Sequence, residues 1–143
     1  MPTITVSRNV AASADAIWAL LADFADVRWI PVIDNVTVEG TGPGMRRKIY
    51  GSKDPSADPT IETLIWTRPE QKQLAYRITN NPLPVSKFEA VVSVADSAPG
   101  SGGCRIAWAV DYEPAGDDSS ARQSIEMVYG MMADWLQTAA SSG

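Results

Sequence analysis

The chain has 143 residues, 45% of them hydrophobic and 20% charged, which is enough for one domain, residues 1–143, with its own apolar core. A net charge of −5 argues against a nucleic-acid-binding surface, which needs clustered Lys and Arg. With no histidine and one cysteine, Ser-His-Asp and Cys-His catalysis, histidine-based zinc or iron sites and an internal disulfide are all excluded.

Thr3 to Val10 sets Ile4 and Val6 against Thr3, Thr5 and Ser7, an alternation that predicts a first strand. Ser13 to Pro31 reads as a short amphipathic helix running into an Asp-Val-Arg-Trp-Ile-Pro turn. Ser13 is a good N-cap, and Asp15 places negative charge in the first turn. Ile17, Leu20, Leu21 and Phe24 recur at helical spacing, and Pro31 ends the helical run. Strands are expected at Asn35–Glu39, Met45–Tyr50, Thr60–Thr67, Gln73–Thr79, Lys87–Ala95 and Cys104–Glu113. The polar, proline- or glycine-bearing segments Gly51–Pro59, Asn80–Val85 and Asp96–Gly103 connect them. A final helix from about Ser120 to Ala139 carries Ile125, Val128, Met132 and Trp135 on one stripe, flanked by Met131 and Leu136.

Other segments carry less. Gly40-Thr41-Gly42-Pro43-Gly44 follows a strand, opens no helix and contains proline, so it reads as a turn and not as a phosphate loop. Arg46-Arg47-Lys48 lies in a strand, where alternate faces divide it. Asp96 and the Asp117-Asp118 pair lack the spacing of a calcium loop, so no metal and no cofactor are expected. No apolar run approaches a membrane span, and the start MPTITVSRNV has no signal-peptide pattern. With Cys104 alone, this predicts a cytoplasmic protein, in which the Asn35-Val36-Thr37 sequon carries no meaning.

The order and spacing of several pieces resemble the helix-grip superfamily, also called SRPBCC or START-like, which includes START domains and birch-pollen allergens. Within it the chain is most similar to the bacterial polyketide cyclase/dehydrase and lipid-transport group. The pieces are Ala14-Asp15-Ala16-Ile17-Trp18, then Phe24 with Trp29 and Pro31, Gly44 to Ile49, Glu62-Thr63-Leu64, Tyr76-Arg77-Ile78, Pro82 to Val85, and Trp108 with Tyr112, Glu113 and Pro114. The resemblance implies an α+β fold. In it, a seven-stranded curved antiparallel sheet wraps a long C-terminal helix, two short helices follow the first strand, and a hollow lies between sheet and helix. It implies carriers, receptors, cyclases and interaction modules alike, because one fold hosts many functions.

Period-two alternation gives Ile106, Trp108, Val110 and Tyr112 one face, joined by Phe88, Ala90, Val92 and Val94 and by Leu74, Tyr76 and Ile78. On the fourth strand both faces are partly apolar. The resemblance places Glu62 inward, which brings Leu64 and Trp66 with it and sets Met45, Arg47 and Ile49 inward on the third. Arg47 and Glu62 then meet in an apolar chamber, either as a structural cross-strand pair or as an anchor for a carboxylate, phenolate or enolate. Arg47, Glu62 and Tyr76 are the candidate catalytic residues. Trp29, Trp66, Phe88, Trp108, Tyr112, Val128, Met131 and Met132 are the candidate ligand contacts, with Tyr129 a further hydroxyl and Met127 a further wall residue. Trp18 and Trp135 read as helix packing. The resemblance also sets Trp29 by the open end of the grip, as a lid.

Three functions follow as expectations. The first is binding of a small hydrophobic or aromatic ligand (a lipid, polyketide or similar metabolite) in an internal cavity. The second is a cyclase/dehydrase-like enzyme using Arg47, Glu62 and tyrosine acid–base chemistry. The third is a co-chaperone-like interaction module with an exposed apolar patch. Nucleic acid is not an expected partner, and no membrane span is expected.

Overall fold

In the computed structural model, which describes residues 2–31, 35–50, 59–80, 83–97 and 103–142, strand β1 (Thr3–Val10) opens the chain and helix α1 (Ala14–Ala22) follows. Ser13 caps α1 by accepting the Ala16 amide at 3.1 Å, and Asp15 lies in its first turn. The helix stops at Ala22, well before Pro31. Asp23 takes a non-helical φ of −81° and ψ of 78°, and the Asp26 amide bonds back to its carbonyl at 2.9 Å. Asp26 then accepts both the Arg28 amide and the Arg28 guanidinium. Short acidic side chains offer the backbone these local partners in place of helix, which is why the run breaks early. Of the two short helices expected after the first strand, one forms among the described residues; the segment from Asp23 to Pro31 is a pair of turns.

The remaining strands are β2 (Asn35–Glu39), β3 (Arg46–Tyr50), β4 (Thr60–Arg68), β5 (Gln73–Thr79), β6 (Val85–Asp96) and β7 (Cys104–Pro114). They form one antiparallel sheet in the order β1-β7-β6-β5-β4-β3-β2. Between β2 and β3, Gly40, Gly42 and Gly44 all have positive φ, a conformation that favours glycine and fits a turn. β6 starts earlier than its alternation suggests, because an irregularity between Val85 and Lys87 lets Val85 pair with Pro114. Of the predicted loops Gly51–Pro59, Asn80–Val85 and Asp96–Gly103, residues 51–58, 81–82 and 98–102 lie outside the described residues.

Helix α2 (Asp118–Ser142) closes the chain. Asp117 accepts the Ser120 amide and hydroxyl, each at 3.0 Å, and so satisfies its first turn. The helix buries Ala121, Ile125, Tyr129, Ala133 and Leu136 and packs chiefly along β1, at one side of the sheet, with α1 on its flank. Ile4, Val6, Phe88, Val92, Ile106, Trp108 and Val110 complete that core. With α2 at the β1 side, the concave face of β3, β4 and β5 is left for something else. No helix among the described residues is long and apolar enough to cross a membrane.

Candidate functional site: a cavity with one polar wall

The space between α2 and the β3–β5 half of the sheet is a cavity of about 240 Å³. Its floor is the inward face of the sheet: Arg47 and Ile49 on β3, Thr60 and Glu62 on β4, and Leu74, Tyr76 and Ile78 on β5. Phe88, Val92 and Trp108 continue the floor beneath α2, which contributes Val128, Tyr129, Met131, Met132 and Trp135. Leu20 and Leu21 of α1, the turn residues Phe24, Trp29 and Ile30, and Leu83 close the remaining sides.

Arg47 and Glu62 are the buried charged side chains among the described residues, at 8% and 7% exposure. They are directly paired across β3 and β4, so strand register alone brings them together. Arg47 donates through Nε to Glu62 Oε1 at 2.5 Å and through Nη1 to the Phe24 carbonyl at 2.8 Å. Its guanidinium also lies 3.9 Å from the centroid of the Phe24 ring. The ion pair is thus hydrogen-bonded and stacked as well as paired, which a buried charge requires.

Next to it, the hydroxyls of Tyr76 and Tyr129 hydrogen-bond to each other. Tyr129 stacks on Trp108, with ring centroids 4.6 Å apart and planes 17° apart. Burial raises the phenol pKa of both tyrosines, and the nearby Glu62 charge raises each further, so both stay protonated at neutral pH. Two hydroxyls bring two protons and their mutual bond uses one, so the pair retains one O–H to donate.

Trp29 reaches the cavity from the turn after α1, yet its indole Nε1 is buried without a hydrogen-bond partner. The turn is held from outside by the Asp26–Arg28 clamp, whose hydrogen bonds lower the Asp26 carboxyl pKa to about 2. Among the exposed large hydrophobic side chains, Met131 lines the cavity, Met127 precedes it by one helical turn, and Val38 pairs with Arg47 and so shares its face.

The candidate contacts divide as follows. Trp29, Phe88, Trp108, Val128, Met131 and Met132 line the cavity, with Arg47, Glu62 and Tyr76. Trp66 does not. The β4–β5 register shifts between Leu64 and Trp66, so Leu64 pairs with Tyr76 but Trp66 pairs with Ala75, whose side chain is on the opposite face. Trp66 therefore faces outward, under the Arg68 guanidinium at 4.1 Å. Tyr112 of β7 is fully buried, but its side chain points to the start of α2, where its hydroxyl donates to Asp118 Oδ1 at 2.5 Å and accepts from Arg122 at 3.2 Å. Trp135, read as packing, lies at the cavity, as do Leu20, Leu21, Phe24, Ile30 and Leu83. The helical stripe from Ile17 to Phe24 signalled three of these; Trp135 fell on the apolar stripe of α2, which marks a buried face without telling a cavity wall from packing. Among the described residues no group of three or more His, Cys, Asp or Glu side chains is placed to hold a metal ion.

A curved antiparallel sheet that grips one long helix beside an internal cavity defines a helix-grip protein. Solved structures of that fold superpose over almost the whole chain. A putative uncharacterized protein from Bacillus thuringiensis is 23% identical, with 97% of this chain and 98% of that one covered and a TM-score of 0.80. Ara h 8.0201 is 16% identical, with 99% of each chain covered and a TM-score of 0.78. Norcoclaurine synthase from Thalictrum flavum, in complex with dopamine and hydroxybenzaldehyde, is 17% identical, with coverage of 99% and 87% and a TM-score of 0.72. At such identities the likeness shows the fold alone. Comparison with curated proteins gives no match. The model of the family described as polyketide cyclase / dehydrase and lipid transport matches residues 1–141, and the chain belongs to that family.

Proposed function

We propose that the protein binds one small hydrophobic or aromatic molecule in the cavity, with Arg47, Glu62 and the Tyr76–Tyr129 pair facing its polar end. The observation that carries this reading is a space of about 240 Å³, lined by aliphatic and aromatic side chains with polar groups gathered on one wall. Apolar walls supply the free energy of binding, and a few placed polar groups orient the ligand. Phenolic ligands in the norcoclaurine synthase structure are in keeping with it. The test is titration of the purified chain with naphthalene, read by quenching of the cavity tryptophans. One-to-one saturable binding that is abolished by Val128→Trp, which fills the space, supports the reading. Undiminished binding by the filled variant sinks it.

A second reading, cyclase/dehydrase-like catalysis, is favoured by the placement of Tyr76 and Glu62 on one wall. Arg47 would stabilise an enolate and the tyrosine pair would donate a proton to an oxygen. Glu62 as a base is less suited, since Arg47 already occupies one of its oxygens. Turnover of a bound polyketone, lost in Tyr76→Phe with binding intact, would promote this reading over simple binding.

A further inference from the structure

We propose that Glu62 selects the charge of the ligand: by cancelling Arg47 inside the cavity, it restricts the site to uncharged aromatic molecules of about two fused rings that carry a hydroxyl or carbonyl group. This deepens the binding reading and rests on it.

An arginine in an apolar cavity would ordinarily select carboxylates, because its planar fork binds them with two parallel hydrogen bonds. Here two of its three nitrogens are engaged from within. Nε is held by Glu62, Nη1 by the Phe24 carbonyl, and the face of the guanidinium by the Phe24 ring. A ligand carboxylate would enter beside Glu62 as a second negative charge in a site that holds one positive charge. A ligand ammonium would meet the like charge of Arg47 beside Glu62, one of whose oxygens Arg47 already occupies. Either ion must give up its hydration for a wall of zero net charge, which costs more than it returns. A neutral oxygen loses far less water and meets the spare O–H of the Tyr76–Tyr129 pair, which burial holds protonated.

Size follows from volume. An apolar cavity of about 150 Å³ holds one benzene ring, so about 240 Å³ has room for a second fused ring and a substituent. The stacked Trp108–Tyr129 pair and Phe88 give that flat molecule a matching aromatic wall.

The experiment titrates the full chain at neutral pH with 2-naphthol, 2-naphthoate, 2-naphthylmethylammonium and naphthalene, by calorimetry. 2-Naphthol is expected to bind more tightly than naphthalene, and more tightly than either ion by about tenfold or more. Glu62→Gln keeps a hydrogen-bond acceptor opposite Arg47 and removes the negative charge. It should strengthen 2-naphthoate relative to 2-naphthol by about tenfold or more. Equal binding of 2-naphthol and 2-naphthoate by the wild-type chain overturns charge selection while naphthalene binding leaves the cavity reading standing. An unchanged ratio in a folded Glu62→Gln variant also overturns it. Binding of none of the four probes sinks both. If Glu62→Gln fails to fold, the wild-type comparison decides alone: an uncompensated Arg47 would favour 2-naphthoate over the other three, and a cancelled one disfavours both ions.

Discussion

Arg47 holds Phe24 twice, through a hydrogen bond from Nη1 to its carbonyl at 2.8 Å and through a guanidinium 3.9 Å from its ring centroid. The two residues lie on β3 and on the turn after α1, so this contact ties one wall of the cavity to its floor. Loss of Arg47 therefore removes a structural tie and leaves Glu62 buried without its counter-charge. Arg47→Met should cost about 3–5 kcal/mol in urea denaturation, and Arg47→Met combined with Glu62→Leu should recover much of it. A single variant as stable as wild type would show that Glu62 does not depend on Arg47.

The tyrosine pair makes stability sensitive to alkali. Both folded-state phenol pKa values are raised by burial, whereas an unfolded tyrosine ionises near pH ~10. Above that pH the unfolded chain releases protons that the folded chain retains, so the stability contribution is full below it and is lost as pH rises through the folded values. Denaturation midpoints measured across this range should fall more steeply for wild type than for Tyr76→Phe/Tyr129→Phe. Parallel curves would contradict the assignment.

Trp29 carries an indole Nε1 that is buried without a partner. Replacing it by Phe removes an unsatisfied donor and retains most of the ring. Trp29→Phe should be as stable as wild type or more stable by about 1 kcal/mol, as read by thermal unfolding. If the residue also gates the cavity, Trp29→Ala should speed dissociation of bound 2-naphthol in stopped-flow measurements, and an unchanged rate removes the gating role.

Of three large aromatic residues, Trp108 borders the cavity and Trp66 and Tyr112 do not. Trp108→Leu should weaken 2-naphthol binding by roughly tenfold, through loss of stacking area. Trp66→Ser, on the opposite face, should leave affinity within about twofold. Tyr112→Phe should cost about 1 kcal/mol of stability, through the lost bonds to Asp118 and Arg122, with affinity unaltered. Equal losses of affinity at Trp66 and Trp108 would refute the assignment of faces.

Strand faces were legible wherever alternation was unbroken, as on β7 with Ile106, Trp108, Val110 and Tyr112 all inward and buried. The Arg47–Glu62 pairing was legible only through the family resemblance that places Glu62 inward, since both faces of β4 are partly apolar and alternation leaves its orientation open. Trp66 was not, since the register shift after Leu64 reverses every later face and Ile61, Ile65 and Trp66 are apolar on either assignment. The end of α1 was hidden because Leu20, Leu21 and Phe24 keep helical spacing even though the chain leaves the helix at Asp23. Cavity and solid core use the same residue types, so Trp135 looked like packing until the position of α2 over β1 and β7 left the other half of the sheet uncovered.

The extra residue between Leu64 and Trp66 has a consequence for how the protein can change. A bulge bends its strand and adds twist, and this one lies in β4, whose inward residues form part of the cavity floor. The hollow is then partly a property of backbone count, and not only of which side chains happen to border it. Substitutions along the floor can alter what the protein accepts while the container persists, whereas shortening β4 by the single residue Ile65 would flatten the sheet toward α2 and shrink the space for any occupant at once.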